Sequence, residues 1–196
     1  MKTQIALETF LKTIRGYADL SDRAAADWTR LLREKAYPKK AELLSVGQVP
    51  TKAAFVVRGL LAQYYVGEAG DTVVKGFFPE GRIAGSIPAT LTRSPSDFSI
   101  VALEETEVLE YDFHEFQRLV SRHRDVAEFY IRYMERHWII EKELSEVSLR
   151  RDSARVRYDG FVSAHPDLAQ RLKKHQIAAF LGITATQMSR ISSRRK

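Results

Sequence analysis

Apolar positions change period three times along this chain. Between residues 4 and 35 they keep a helical rhythm, carried at first by Ile5, Leu7, Phe10, Leu11 and Ile14. Ser21, followed by Asp22 and the run Ala24-Ala25-Ala26, reads as the N-cap of a second helix that runs through Leu32. From Lys40 to Asp112 the apolar runs are short and β-rich: AAFVVRG, LLAQYYVG, TVVKGFF, FSIVAL and EVLEY. Gly59, GEAGD (67–71), PEG (79–81) and SPSD (94–97) divide them. Six or more short strands with hairpin-like turns predict an antiparallel sandwich or barrel. One short helical turn is expected in SIPATLTR.

The third regime begins at Asp112-Phe113. Residues 113 to 149 contain neither Pro nor Gly, and the pattern predicts one uninterrupted helix. Within it Val126, Tyr130, Tyr133, His137, Ile140, Leu144 and Val147 alternate spacings of four and three, a heptad seam. Phe129, Met134 and Trp138 form a second stripe. One stripe can cover the β domain and the other can meet a second copy of the chain, so a homodimer is expected. His137 sits mid-seam, where a polar residue more often sets register than binds a ligand or senses pH.

The last residues return to short helices. Ser153 can cap a helix from Ala154 to about Ala164, which HPD (165–167) ends. In HQIAAFLGITATQMSRISSRRK (175–196), Ile177 and Leu181 share one face of a short helix. Gly182 suits the left-handed position that ends it, and Ile183 can plug the angle to the next helix. Thr184 is a good N-cap for that next helix, whose buried side would hold Met188 and Ile191. This is the arrangement of a helix-turn-helix. The outward mix of Ala185, Thr186, Gln187, Ser189, Arg190, Ser193 and Arg194 can serve base edges and phosphates, and the Thr184 hydroxyl at the helix start can meet a phosphate.

Charge sharpens that reading. The net charge is +6, and residues 151–196 hold ten Lys/Arg against three Asp/Glu, a balance of +7. The rest of the chain is nearly neutral, so the whole excess lies where the helix-turn-helix does. With 44% apolar residues the 196-residue chain can build a full core. No run of about 18 apolar residues suggests a membrane span or membrane partner, and the N-terminus lacks the apolar run of a secretory signal. There is no cysteine, which removes disulfides, thiol catalysis and iron–sulfur clusters. No nucleophile elbow, P-loop, HExxH or Gly-rich dinucleotide fingerprint is present, so an enzyme is not expected. These features point to a cytoplasmic, non-enzymatic protein.

The order of helix, β-roll, long heptad helix and helix-turn-helix resembles the CRP/FNR superfamily of bacterial transcription regulators. The residues carrying the resemblance are the glycines of the roll (Gly47, Gly59, Gly76, Gly81), the passage EVLEYDFHEFQRLV, the long helix and IAAFLGITATQMSRI. It implies an α+β fold. Residues 1–112 would form N-terminal helices and a cyclic-nucleotide-binding-like antiparallel β-roll, 113–150 a dimerisation helix, and 151–196 an all-α helix-turn-helix domain. The chain is most similar to short members that end near the recognition helix. Longer members follow it with a β-hairpin wing, which is not expected in a sequence ending at Lys196.

Family recognition helices contact bases early in the helix and through an Arg one turn later. Carried over, these positions are Ala185, Thr186, Gln187 and Arg190, with Ser189 beside them. Lys173, Lys174, Arg194, Arg195 and Lys196 would meet phosphates. The partners so implied are double-stranded DNA, a second copy of the chain and RNA polymerase. In cyclic-nucleotide-binding members a phosphate cassette follows a Gly-Glu pair and ends in an Arg before a small residue. The matching stretch, RIAGSIPATLTRSPSDFSIVAL, keeps Gly85 but has Ser86 in place of the Glu. Its Arg position falls near Asp97-Phe98, and Arg93 stands four residues early. The resemblance therefore argues against cyclic AMP. A pocket around Gly85, Ser86, Arg93, Asp97 and Phe98 would take another small molecule or none, and no cofactor is implied. The competing reading is a ligand-binding or protein-interaction module with a vestigial helix-turn-helix.

Overall fold

The computed structural model describes residues 2–66 and 72–193, so the GEAGD turn and the last three basic residues lie outside the described residues. Helices α1 (Lys2–Arg15) and α2 (Asp22–Thr29) lead into eight strands: β1 (Arg33–Tyr37), β2 (Glu42–Leu44), β3 (Lys52–Arg58), β4 (Leu61–Val66), β5 (Thr72–Phe78), β6 (Ile83–Ala84), β7 (Ser99–Ala102) and β8 (Thr106–Asp112). Helix α3 (Ile87–Thr92) interrupts them between β6 and β7. The strands make two four-stranded antiparallel sheets, ordered β1-β8-β3-β6 and β2-β7-β4-β5. Mixed helices and antiparallel sheets are thus the fold class the sequence pattern implies.

Strand β3 shows why its sequence is apolar at every position from Ala53 to Val57. Ala54 and Val56 face the interior of the roll with Tyr37, Leu44, Leu61, Ile100 and Val108. Ala53 and Phe55 face the other way, into a core built with α1, α2 and the helices after β8. A strand buried on both faces loses alternation and reads as a continuous run. The aromatic centre of that second core is Trp28. Its ring meets Phe10 at 5.1 Å, Phe116 at 4.9 Å and Phe129 at 5.0 Å between centroids.

Two elements depart from the sequence pattern. The helical rhythm expected to residue 35 stops at Thr29, and β1 occupies residues 33–37 instead. This strand lies at a sheet edge, pairing Arg33 with Glu110 and Tyr37 with Thr106, and only Tyr37 is buried. Its partner is distant in sequence and most of its side chains are polar and exposed, so no period-two signal marks it. The helix expected without interruption from residue 113 is also broken. Helix α4 (Phe113–Arg122) ends at His123, which is extended at φ −124°, and α5 (Arg124–Met134) begins a new axis. Neither Pro nor Gly makes this break. His123 Nε2 lies 3.1 Å from Asp27 Oδ2, and Asp125 Oδ2 accepts the Ser21 N–H at 2.8 Å, so the first helices hold the corner.

Helix α5 continues through a widened i→i+5 turn, Glu135–Ile140, into α6 (Glu141–Arg151). The extra residue in such a turn shifts every later side chain around the axis. The expected single seam is split accordingly. Val126 and Tyr133 are buried in the core of the single chain, with Tyr130 packed beside them. His137 lies against Tyr17 and Glu141, at 2.7 Å on each ring nitrogen. Ile140, Leu144 and Val147 instead stand exposed, at 56%, 66% and 42%. Ile131 and Ile139 are exposed on the same helix. The chain closes with α7 (Ala154–Ala164), α8 (Pro166–Arg171), α9 (Lys174–Leu181) and α10 (Ala185–Ser193). No helix of the described residues is long and apolar enough to cross a membrane.

Candidate nucleic-acid interface

Helices α9 and α10 form the helix-turn-helix that the sequence predicts. Ser153 caps α7 by accepting the Val156 N–H, and α7 supplies Phe161 as a floor for the pair. Gly182 ends α9 in the left-handed region, at φ 60° and ψ 38°. The Ile183 N–H then reaches back to the Ala178 carbonyl at 2.9 Å, the bond that closes a helix with a left-handed cap. Ile183 is buried in the angle, with Leu181, Met188 and Ile191 around it. Thr184 caps α10: its hydroxyl accepts the Gln187 N–H at 3.2 Å, and Gln187 Oε1 accepts the Thr184 N–H at 3.0 Å. This reciprocal pair satisfies two donors that a bare helix start leaves open.

Burying Met188 and Ile191 fixes which side of α10 faces outward. Thr184, Ala185, Thr186, Gln187, Ser189 and Arg190 are all exposed, and so is Lys174 at the start of α9. The predicted DNA-contact residues that fall within the described residues are thus all accessible. Arg190 makes no ion pair among the described residues, while Gln187 is occupied by the cap. The capping role of Gln187 was legible as a T-x-x-Q box at 184–187. Arg194, Arg195 and Lys196 lie outside the described residues.

The helix-turn-helix domain is docked on its own β-roll. Leu172, Ile177, Ala178 and Leu181 share one apolar cluster with Leu60, Ala62, Val74 and Phe77. Phe180 meets Phe77 at 5.2 Å between centroids, and Gln176 Nε2 donates to Tyr64 Oη at 3.4 Å. A charged contact borders the cluster. Arg171 donates to both oxygens of Glu80, at 2.8 and 3.0 Å, and to Glu104 at 2.5 Å. Burial raises the Glu80 carboxyl, but its hydrogen bonds from Arg171 and from backbone N–H groups outweigh that and hold it below its ordinary value. Arg157 ties the turn to the long helix, donating to the carbonyls of Asp152 at 2.7 Å and Gly182 at 3.2 Å.

The five residues singled out in the roll are not gathered into one pocket. Gly85 and Ser86 line a polar cavity of about 170 Å³ with Lys35, Tyr37, Lys52 and Glu110. Arg93 is exposed at the end of α3, Asp97 is exposed, and Phe98 lies under Lys75, whose Nζ is 4.3 Å from the ring centre. Burial and the charge of Lys142 hold the Lys75 amine below its ordinary value. Ser86 is instead joined to Ser96, with 2.9 Å between hydroxyl oxygens and both side chains buried. Ser96 was not picked out from sequence, because a serine in a turn carries no signal of where its hydroxyl goes. Among the described residues there is no cluster of His, Asp and Glu fit to hold a metal ion.

Residues 34–123 match the family model of the cyclic nucleotide-binding domain. A search of curated protein sequences finds no match. Among solved structures, FixK2 from Bradyrhizobium japonicum superposes with a TM-score of 0.69 at 19% identity, over 83% of each chain. A CooA mutant from Carboxydothermus hydrogenoformans gives 0.67 at 20% identity, over 90% of this chain and 79% of that one. The catabolite activator protein of Thermus thermophilus gives 0.55 at 20%, over 90% and 84%. At such identities the likeness is one of fold, and the fold is that of the CRP/FNR-type regulators.

Proposed function

We propose that this chain, built on the fold of the CRP/FNR-type regulators, is a DNA-binding transcription regulator that reads a two-fold symmetric operator as a homodimer. One observation carries the reading: Met188 and Ile191 lock α10 so that Ala185, Thr186, Ser189 and Arg190 stand together on its exposed face. Such a face, on a second helix that starts with a capped N-terminus, suits a major groove. The exposed Ile140, at the end of the widened turn, and Leu144 and Val147 of α6 support the dimer, since a second copy would remove them from water. Cyclic AMP is not the effector in this reading. Ser86 stands where the nucleotide-binding members have an acid, and its hydroxyl is already paired to Ser96 in the interior.

The test is selection of a randomised duplex pool by the purified protein at near-physiological salt. Enrichment of an inverted repeat with half-sites about ten base pairs apart is expected. Recovery of unenriched DNA that is lost as salt rises would overturn the reading, because charge alone behaves that way. Arg190→Ala should relax selection at the base pair it reads, by ~1–3 kcal/mol of discrimination, with the oligomeric state unchanged. A variant that selects the same sequence at the same affinity would remove Arg190 from the interface.

A further inference from the structure

The turn from Pro79 to Ile83 touches both of the elements that orient a recognition helix. It is closed by the Arg82 N–H on the Pro79 carbonyl at 3.1 Å and anchored to the roll by the Gly81 N–H on the Val56 carbonyl at 2.9 Å. On one side Glu80 holds Arg171 of α8, which leads directly into the helix-turn-helix. On the other, Arg82 pairs with Glu141 of the long helix at 3.1 Å, and the Ile83 N–H donates to Tyr133 Oη at 2.8 Å. Glu80 is itself held in place, because its Oε1 accepts the Gly59 N–H at 2.8 Å. Two and three residues beyond the turn's end lie Gly85 and Ser86, which line the 170 Å³ cavity.

Resting on the DNA-binding reading above, we propose that Arg171 is a positioning residue for DNA recognition: its clasp on Glu80 and Glu104 makes the Pro79–Ile83 turn the coupler through which the β-roll sets the attitude of the helix-turn-helix. The docked arrangement leaves the outward face of α10 accessible, so the clasp is compatible with reading DNA. A domain held in one attitude loses less freedom on binding than one that swings. The apolar cluster gives the docking its adhesion. The guanidinium, gripping two carboxylates from two different loops of the roll, gives it direction.

The discriminating variant is Glu80→Gln with Glu104→Gln in the full-length protein. It removes two negative charges and no positive one. Electrostatics alone would then tighten binding to a polyanion. Loss of positioning predicts the opposite: affinity for the selected operator falls about tenfold, within the usual range of coupling between sites. In Glu80→Gln the side-chain amide keeps a carbonyl oxygen for the Gly59 N–H, so the turn itself should survive. Hydrogen exchange supplies a readout independent of DNA, and the amides of Ile177 to Leu181 should exchange faster in this variant and in Arg171→Ala. Unchanged exchange with equal or tighter operator binding would overturn the proposal. If the wild type selects no sequence at all, the DNA-binding reading fails, and the exchange rates still decide whether the clasp holds the domain.

Discussion

Ile140→Glu with Leu144→Glu is expected to leave a folded monomer that no longer holds the operator. Both side chains are more than half exposed in the subunit, so neither substitution removes a contact that the fold of one chain needs. In a dimer the same positions would face each other along the end of the widened turn and α6. Carboxylates there would be stripped of water and set against like charges, which costs far more than the lost apolar burial. Two half-sites gripped by one dimer gain about 10²- to 10⁴-fold over one half-site through effective concentration. Operator affinity should drop by that factor while circular dichroism and thermal unfolding of the subunit change little. Sedimentation velocity reads the mass. A double variant that still sediments as a dimer would remove this helix face from the interface.

Tyr133→Glu is a different experiment, although the heptad pattern places Tyr133 in the same seam. Its ring is buried against Phe129 and His137, and its hydroxyl accepts the Ile83 N–H. A glutamate there would damage the subunit before it could report on dimerisation. The reason is the widened turn at 135–140, which contains no Pro and no Gly to announce it and in which His137 is held between Tyr17 and Glu141. Periodicity reports that a helix has apolar faces. It does not report which face meets the chain's own core, because that depends on contacts more than a hundred residues away in sequence.

Other features were legible because their causes are local. Gly182, Ile183 and Thr184 do in the structure what their side chains dictate within four residues, and so do the caps at Ser21 and Ser153. The five main β-runs were readable from their apolar content, whereas β1, β2 and β6 were not, being polar, three residues long and two residues long respectively. The candidate recognition face was legible for the same local reason, since the caps and the two buried residues of α10 leave only one outward side. The pairing of Ser86 with Ser96 and the clasp of Arg171 were not, because each joins segments whose proximity the tertiary fold alone decides.

Gly59→Ala should be among the most damaging single substitutions in the roll, and Gly76→Ala nearly silent. Both glycines belong to the set that carried the family resemblance, yet their surroundings differ. Gly59 has φ +103°, and a Cβ there would sit 2.6 Å from the Glu105 carbonyl oxygen, 2.6 Å from Thr106 Oγ1 and 2.7 Å from Thr106 Cα. Two of those three atoms are backbone, so relief requires moving the chain rather than a rotamer. Backbone strain of about 1–3 kcal/mol and overpacking of similar size together predict a loss of about 3–5 kcal/mol. At Gly76 a Cβ would meet no described atom within 4 Å, and the backbone has an ordinary φ. Its replacement should stay within about 0.5 kcal/mol. Chemical denaturation of the two variants measures the difference. The Gly59 substitution should also reach the DNA-binding end, since the Gly59 N–H holds Glu80 and Glu80 holds Arg171. Faster hydrogen exchange across Ile177 to Leu181 in Gly59→Ala, under conditions where the protein is still folded, is therefore expected. Unchanged exchange there would mean that the turn at 79–83 keeps its place, and Glu80 its hold on Arg171, without the glycine.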